Sequence, residues 1–305
     1  MKSIFQTMNK VGVVVRSVDA TVKTYAVEYA VGPWKIWELN NKTVDEMMVN
    51  NKRENYAVRI ARTTMGPYSW ELIEPLDENS IFAEFLKTHG EGPHHLGYEV
   101  SDVKKAVKSL QKKGISIKQS GNWAGYDFAF PDTVSDLKHN AEIYSIGKNF
   151  SYPEPVSVYS VPTDKRLLDK PFFKKPTQVA IAVKDMNSIV KNYYDKYGIG
   201  PWVILKYYYP KQKDMYYYGK EENNLKYSVA VAMLGDMQYE LMEPESGKNI
   251  YSDWMSEHGE GLNHIQFEYN YPFEEVIKFH SKKHQDVMQQ GSINGLIYAY
   301  IDTRE

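Results

Sequence analysis

Apolar and polar positions along this chain follow two rhythms that take turns. Lys10-Val11-Gly12-Val13-Val14-Val15 is a β-branched run of strand type. From Ser17 to Tyr29 the step lengthens. Val18, Val22, Tyr25 and the stretch Val27 to Tyr29 line much of one side, Ser17 or Asp19 can cap the start, and Gly32-Pro33 stops the helix. Strands are predicted near 34–38, 55–63 and 69–74. The pattern then restarts. His95-Leu96-Gly97-Tyr98-Glu99-Val100 reads as a strand and Ser101/Asp102 as a cap. Val103, Ala106, Val107 and Leu110 have helical spacing, and strands follow near 116–119, 126–130 and 141–145. The order βαβββ thus occurs twice, with Lys10 opening the first module and His95 the second.

The same pair of modules returns from Gln178 and from His264. Gly32-Pro33-Trp34 recurs as Gly200-Pro201-Trp202, and Glu71-Leu72-Ile73-Glu74-Pro75 as Glu240-Leu241-Met242-Glu243-Pro244. His89-Gly90-Glu91-Gly92 recurs as His258-Gly259-Glu260-Gly261, His95 maps to His264, and Asp132-Thr133 maps to Asp302-Thr303. These landmarks keep an offset of 168 to 170, so the chain is a tandem duplication of domain-sized copies. Domains are expected over 1–150 and 176–305. Prolines 153, 155, 162, 171 and 176 mark an extended connector over 151–175. The strand equivalent to 141–145 would fall beyond position 305, so the second domain is expected to lack its last strand.

Composition narrows the partners. The 305 residues carry 37 Lys+Arg against 39 Asp+Glu, a balance unlike that of a general nucleic-acid binder. There is no Cys, which excludes disulfides, thiolate metal sites and a Cys nucleophile. No apolar run has the length of a membrane span and the first nine residues hold no apolar core, so a soluble cytoplasmic protein is expected. Tyr is abundant, with 25 residues. It suits amphipathic strands, and equally an aromatic ligand pocket.

The paired βαβββ modules, with a polar residue opening the first strand and a Glu in the last, resemble the vicinal oxygen chelate superfamily (glyoxalase, bleomycin resistance and dioxygenase proteins). The phrases Gly92-Pro93-His94-His95-Leu96-Gly97-Tyr98-Glu99-Val100 and Gly198-Ile199-Gly200-Pro201-Trp202 are closest in flavour to methylmalonyl-CoA epimerase-like members. The resemblance implies an α+β fold of two tandem domains, each an open barrel of paired modules. It also implies site residues on the first and last strands: Lys10, Glu71, His95 and Glu142 in the first copy, and Gln178, Glu240 and His264 in the second. Lys10 departs from the pattern, because an ammonium offers no lone pair to a metal. Facing Glu71 and Glu142, it would form an ion pair filling the metal position. The first set is therefore expected to be catalytic, and the second either to hold a divalent metal weakly through three protein ligands or to stand empty.

The implied activity is proton transfer next to a carbonyl, as in an epimerase or isomerase, on a small substrate, aromatic ones included. A divalent ion or Lys10 with His95 would stabilise the oxyanion. Alternatives are a non-catalytic small-molecule binder, which the Tyr content favours, and a ring-cleaving dioxygenase. The dioxygenase is disfavoured because neither copy inherits two His. No phosphate loop is present, so no nucleotide cofactor is expected. The open edge left by the missing strand is expected to be covered by the connector or by another subunit, which would make a homo-oligomer.

Overall fold

The computed structural model describes residues 4–5, 7–148, 150–208, 213–293 and 295–303. The chain forms two units. The first takes Met1–Pro176 together with Asn192–Ile199, and the second Thr177–Lys191 with Gly200–Glu305. Residues 151–175 thus pack with the first unit, and so does a short segment from the second half of the sequence.

In the first unit β1 (Thr7–Val14) and α1 (Val18–Glu28) lead to β2 (Trp34–Leu39). A hairpin of β3 (Asp45–Val49) and β4 (Lys52–Arg53) then precedes β5 (Val58–Met65) and β6 (Tyr68–Pro75). Helix α2 (Ile81–His89) connects to β7 (Gly92–Glu99), α3 (Val103–Lys112), β8 (Ile117–Trp123), β9 (Tyr126–Pro131), α4 (Val134–Leu137) and β10 (Asn140–Ile146). The last strand, β11 (Ser157–Tyr159), lies in the 151–175 stretch. Ser17 caps α1 by accepting from the Ala20 N–H, and Asp102 caps α3 through Lys105.

The sheet order is β11-β2-β5-β6-β1-β7-β10-β9-β8-β3-β4. Within each module the first and last strands run parallel, β1 with β6 and β7 with β10, and the modules join antiparallel through β1 and β7. Strands β2 and β3 lie near opposite ends of this order, yet only residues 40–44 connect them. Five residues reach about 20 Å at most, so the sheet must curl until its ends approach. The result is an open barrel. Its interior holds Trp37, Leu39, Met47, Val58, Ile60, Ile73, Trp123, Phe128 and Phe130, with Ile81 and Phe82 of α2 entering from one end.

The second unit repeats the plan. Its elements begin with β12 (Phe173–Ala182) and α5 (Met186–Asn192), whose π-helical continuation Tyr193–Tyr197 belongs to the first unit, and then β13 (Val203–Tyr208), β14 (Lys213–Tyr217) and β15 (Lys220–Glu221). It continues with β16 (Lys226–Leu234), β17 (Met237–Ser246), α6 (Ile250–His258), β18 (Gly261–Tyr269), α7 (Phe273–Lys282), β19 (Val287–Ile293) and β20 (Leu296–Ile301). The pairing registers match those of the first unit. Leu39 opposes Val58 as Tyr207 opposes Tyr227, and Arg62 opposes Glu71 as Val231 opposes Glu240. Gln119 opposes Phe130 as Gln289 opposes Tyr300.

The strands separate into two sheets, β13-β16-β17-β12-β18 and β15-β14-β19-β20. Where β10 joins β7 to β9 in the first unit, no strand among the described residues joins β18 to β20. The 151–175 stretch does not fill that gap, because β11 pairs with β2 at the edge of the first sheet. Strands β18 and β20 are accordingly half-buried to exposed where β7 and β9 are buried. No helix among the described residues is long and apolar enough to cross a membrane.

Candidate functional site

Two positions can carry chemistry, one inside each barrel, and the residues expected from the sequence occupy both. In the first unit Lys10 and Gly12 of β1 face inward together with His95 and Gly97 of β7. Glu71 of β6 lies beside Gly12, and Glu142 of β10 beside Gly97. The arrangement has a two-fold logic. The His95 ring lies against Gly12, where any Cβ would overlap it. The Lys10 stem lies against Gly97, where a Cβ would come within 2.8 Å of Lys10 Cβ. Both glycines are needed because two long inward side chains must cross the neighbouring strand.

The Lys10 ammonium lies 3.2 Å from Glu71 Oε1 and 2.9 Å from Glu142 Oε2. It also donates to the Tyr126 hydroxyl, and stands 4.8 and 4.4 Å from the ring centres of Tyr126 and Tyr144. Arg62 of β5 pairs with Glu71 from the other side. Tyr126 donates to Glu142 Oε1 over 3.1 Å, and His95 Nε2 lies 3.2 Å from Glu142 Oε2. His94 and His95 meet through their Nδ1 atoms at 3.0 Å. Lys10, Glu71, His95 and Glu142 are each at most 4% exposed. Burial by itself would raise the Glu142 carboxyl, but Lys10 and His95 outweigh it and hold the group well below the usual carboxylate range. Burial, then the charges of Glu142 and Glu71, push the Tyr126 phenol far up.

Arg62, Tyr126, Tyr144 and His94 belong to this centre and were not expected from the sequence. For Arg62 a signal existed. The Gly66-Pro67 turn places residue 62 opposite residue 71 across the hairpin, as the register confirms.

Ligand atoms of Glu71, His95 and Glu142 lie within 4.8 Å of one another, the convergence a divalent ion needs. The family pattern implies such an ion, yet the donor set does not accommodate one as it stands. Two cations already neutralise the two carboxylates, and one of them lies between them.

The second centre has the same skeleton with different charges. Gln178 stands in the place of Lys10 and donates through its amide to Glu240 Oε2. Val231 stands in the place of Arg62. Among the described residues Glu240 therefore has no cationic partner. Burial raises its carboxyl to about 7, against a smaller lowering by the Gln178 hydrogen bond, although it keeps some solvent access. Burial lowers His264 to about 3, so it is an uncharged imidazole, and Asn263 Oδ1 lies 2.9 Å from its Nδ1.

The lining differs too. Leu39, Val58, Phe82, Phe128 and Phe130 of the first barrel correspond to Tyr207, Tyr227, Tyr251, Tyr298 and Tyr300. The Tyr300 ring is 4.7 Å from the His264 ring, and the hydroxyls of Tyr251 and Tyr300 are 2.7 Å apart. Burial first, with the Glu240 charge among the further causes, raises the phenols of Tyr251 and Tyr300 well above 10 and that of Tyr298 to about 12. At neutral pH they are protonated donors. A neutral imidazole, an amide oxygen and one half-protonated carboxyl form a weak set for a divalent ion.

A structure of a triple mutant of 4-hydroxymandelate synthase from Streptomyces coelicolor covers 93% of this chain and 76% of its own, at 12% identity and a TM-score of 0.58. Methylmalonyl-CoA epimerase from Mycobacterium tuberculosis covers 48% of this chain and 92% of its own, at 18% identity and a TM-score of 0.36. The Streptomyces coelicolor epimerase covers 47% and 99%, at 19% identity and a TM-score of 0.35. No curated protein sequence matches the chain significantly. The family profile for the Glyoxalase/Bleomycin resistance protein/Dioxygenase superfamily matches twice, over residues 9–130 and 177–296. The chain is thus a tandem, two-domain member of the glyoxalase/bleomycin resistance/dioxygenase superfamily, the vicinal oxygen chelate fold.

Proposed function

We propose that this chain transfers a proton next to a carbonyl group of a small molecule, as an epimerase or isomerase does, and that the second barrel performs the chemistry. The observation that carries this is the exchange of charges between the two centres. Glu71 and Glu142 are locked in ion pairs, sealed from solvent. Glu240 occupies the matching position without a cation and with solvent access. A general base must be free to take the proton and must lose it again near the working pH. A carboxyl at about 7 meets both demands.

In this scheme Glu240 removes the proton from the carbon beside the carbonyl. The electron pair moves onto the carbonyl oxygen, where neutral phenol groups of Tyr251 and Tyr300 can donate to it. Gln178 orients the carboxylate, and the proton returns from Glu240 to carbon, on the same or a neighbouring atom. General acid–base catalysis of this kind contributes about 10²–10⁴-fold. In the first barrel, Lys10, Glu71, His95 and Glu142 form the self-neutralised counterpart of this centre.

The test is exchange of the carbon-bound proton in D2O, followed by proton NMR over a panel of small aldehydes, ketones and hydroxyketones, with and without an aromatic ring. The wild-type protein exchanges at least one class, and Glu240→Gln slows exchange about 100-fold or more. Equal exchange by wild type and Glu240→Gln removes Glu240 as the base. The tyrosine-lined interior also supports a second reading, a non-catalytic small-molecule binder. It would show saturable binding of the same panel with no exchange above the solvent rate.

A further inference from the structure

We infer that the first barrel carries its cation covalently. The Lys10 ammonium is a resident replacement for the divalent ion that Glu71, His95 and Glu142 would otherwise converge on, and this barrel refuses metal for that reason. The inference concerns the first unit alone and stands whether or not the second performs proton transfer.

Four observations combine. The ammonium lies 3.2 and 2.9 Å from the carboxylates of Glu71 and Glu142, two of the three groups whose ligand atoms converge. It is held there. The stem runs across Gly97, the head faces the Tyr126 and Tyr144 rings, and the residue is 2% exposed, so no solvent-facing rotamer is within easy reach. Arg62 adds a second cation on Glu71, so two positive charges balance the two carboxylates before any ion arrives. An added divalent ion would have to displace a buried ammonium, or share the site with it at a few ångströms in a medium that screens poorly.

The fourth observation is internal to the chain. The second barrel keeps the matching Glu240 and His264 but has Gln178 and Val231 where the first has Lys10 and Arg62. The duplication therefore contains one centre with built-in cations and one without. Of these two centres, the second is the one left open to a divalent ion.

Binding of Co²⁺ and Zn²⁺ tests this, read by calorimetry and by the visible absorption of cobalt, on the full chain. The His264→Ala protein, in which the second centre has lost its imidazole and the first is intact, is expected to take up no ion at the first centre up to millimolar concentration. Adding Lys10→His to it should create one site per chain at least 100-fold tighter, and Glu142→Gln should abolish that site. Lys10→Gln, which installs the residue of the second barrel, serves if the histidine variant does not fold. Metal binding by His264→Ala that disappears with Glu142→Gln would overturn the inference. So would a folded Lys10→His protein, by circular dichroism and melting, that gains no site.

Discussion

At the scale of single residues, the two barrels differ by the signs of a few side chains. Lys10 and Arg62 balance Glu71 and Glu142, and breaking such a buried set leaves an uncompensated charge. Lys10→Met is therefore expected to destabilise the first unit by about 3–5 kcal/mol, read by chemical denaturation. A loss below ~1 kcal/mol would mean that the network is not the one described. The pH dependences of Glu142 and Glu240 run in opposite directions. Glu142 is held low, so its contribution is present above its unfolded value of 4.5 and is lost as pH falls toward the folded value. Glu240 is raised to about 7, so its contribution is complete below 4.5 and is lost as pH rises through about 7. Glu240→Gln should accordingly gain in melting temperature relative to wild type between pH 5 and pH 8. A difference that does not change with pH would place the Glu240 carboxyl in an ordinary environment.

Among the elements, α2 and α6 hold corresponding positions and are tied in the same way. Gln119 Oε1 accepts from the Ile81 N–H and Gln289 Oε1 from the Ile250 N–H, each anchoring a helix start to the barrel wall. Gln119→Ala and Gln289→Ala each leave a buried amide without its acceptor and should cost about 1–3 kcal/mol in their own unit. Matching losses support the equivalence of the two ties. A loss in one variant only would show that the helices are docked differently.

These ties, and α2 itself, were not legible in the sequence. Nine residues with Ile81 and Phe82 buried give too short a period to separate from a loop. The β3–β4 hairpin was missed because Asp45–Val49 has little β-branched character. The βαβββ modules were legible because strand alternation and the step change at Ser17 and Asp102 are local. Lys10, Glu71, His95 and Glu142 were placed by alternation together with the family resemblance. Tyr144 shares the face of Glu142 on β10 and was within reach of the same alternation, whereas Tyr126 joins them from β9, whose place beside β10 no local pattern encodes.

On the scale of the whole molecule, the sequence boundary and the structural one do not coincide. Asn192–Ile199 follow the second copy's first helix yet belong to the first unit. There Tyr193 donates to the Leu137 carbonyl over 2.9 Å, Tyr197 donates to Asp136 over 3.1 Å, and Lys196 pairs with Asp136. A fragment ending at Pro176 loses these partners for the buried Asp136 and is expected to melt well below the first unit in the intact chain. Equal melting would make the segment dispensable.

The duplication also means that one chain contains a sealed centre with its own cations and a half-open one without them, built on the same register. That asymmetry is the central claim, and a carbon-13 NMR titration of the glutamate carboxyls tests it most directly, with Glu142→Gln and Glu240→Gln supplying the assignments. The account predicts that the Glu240 resonance titrates near pH 7, while Glu142 stays ionised throughout the usual carboxylate range. A Glu240 resonance that titrates near 4.5, or a Glu142 resonance that takes up its proton at or above that value, would contradict it.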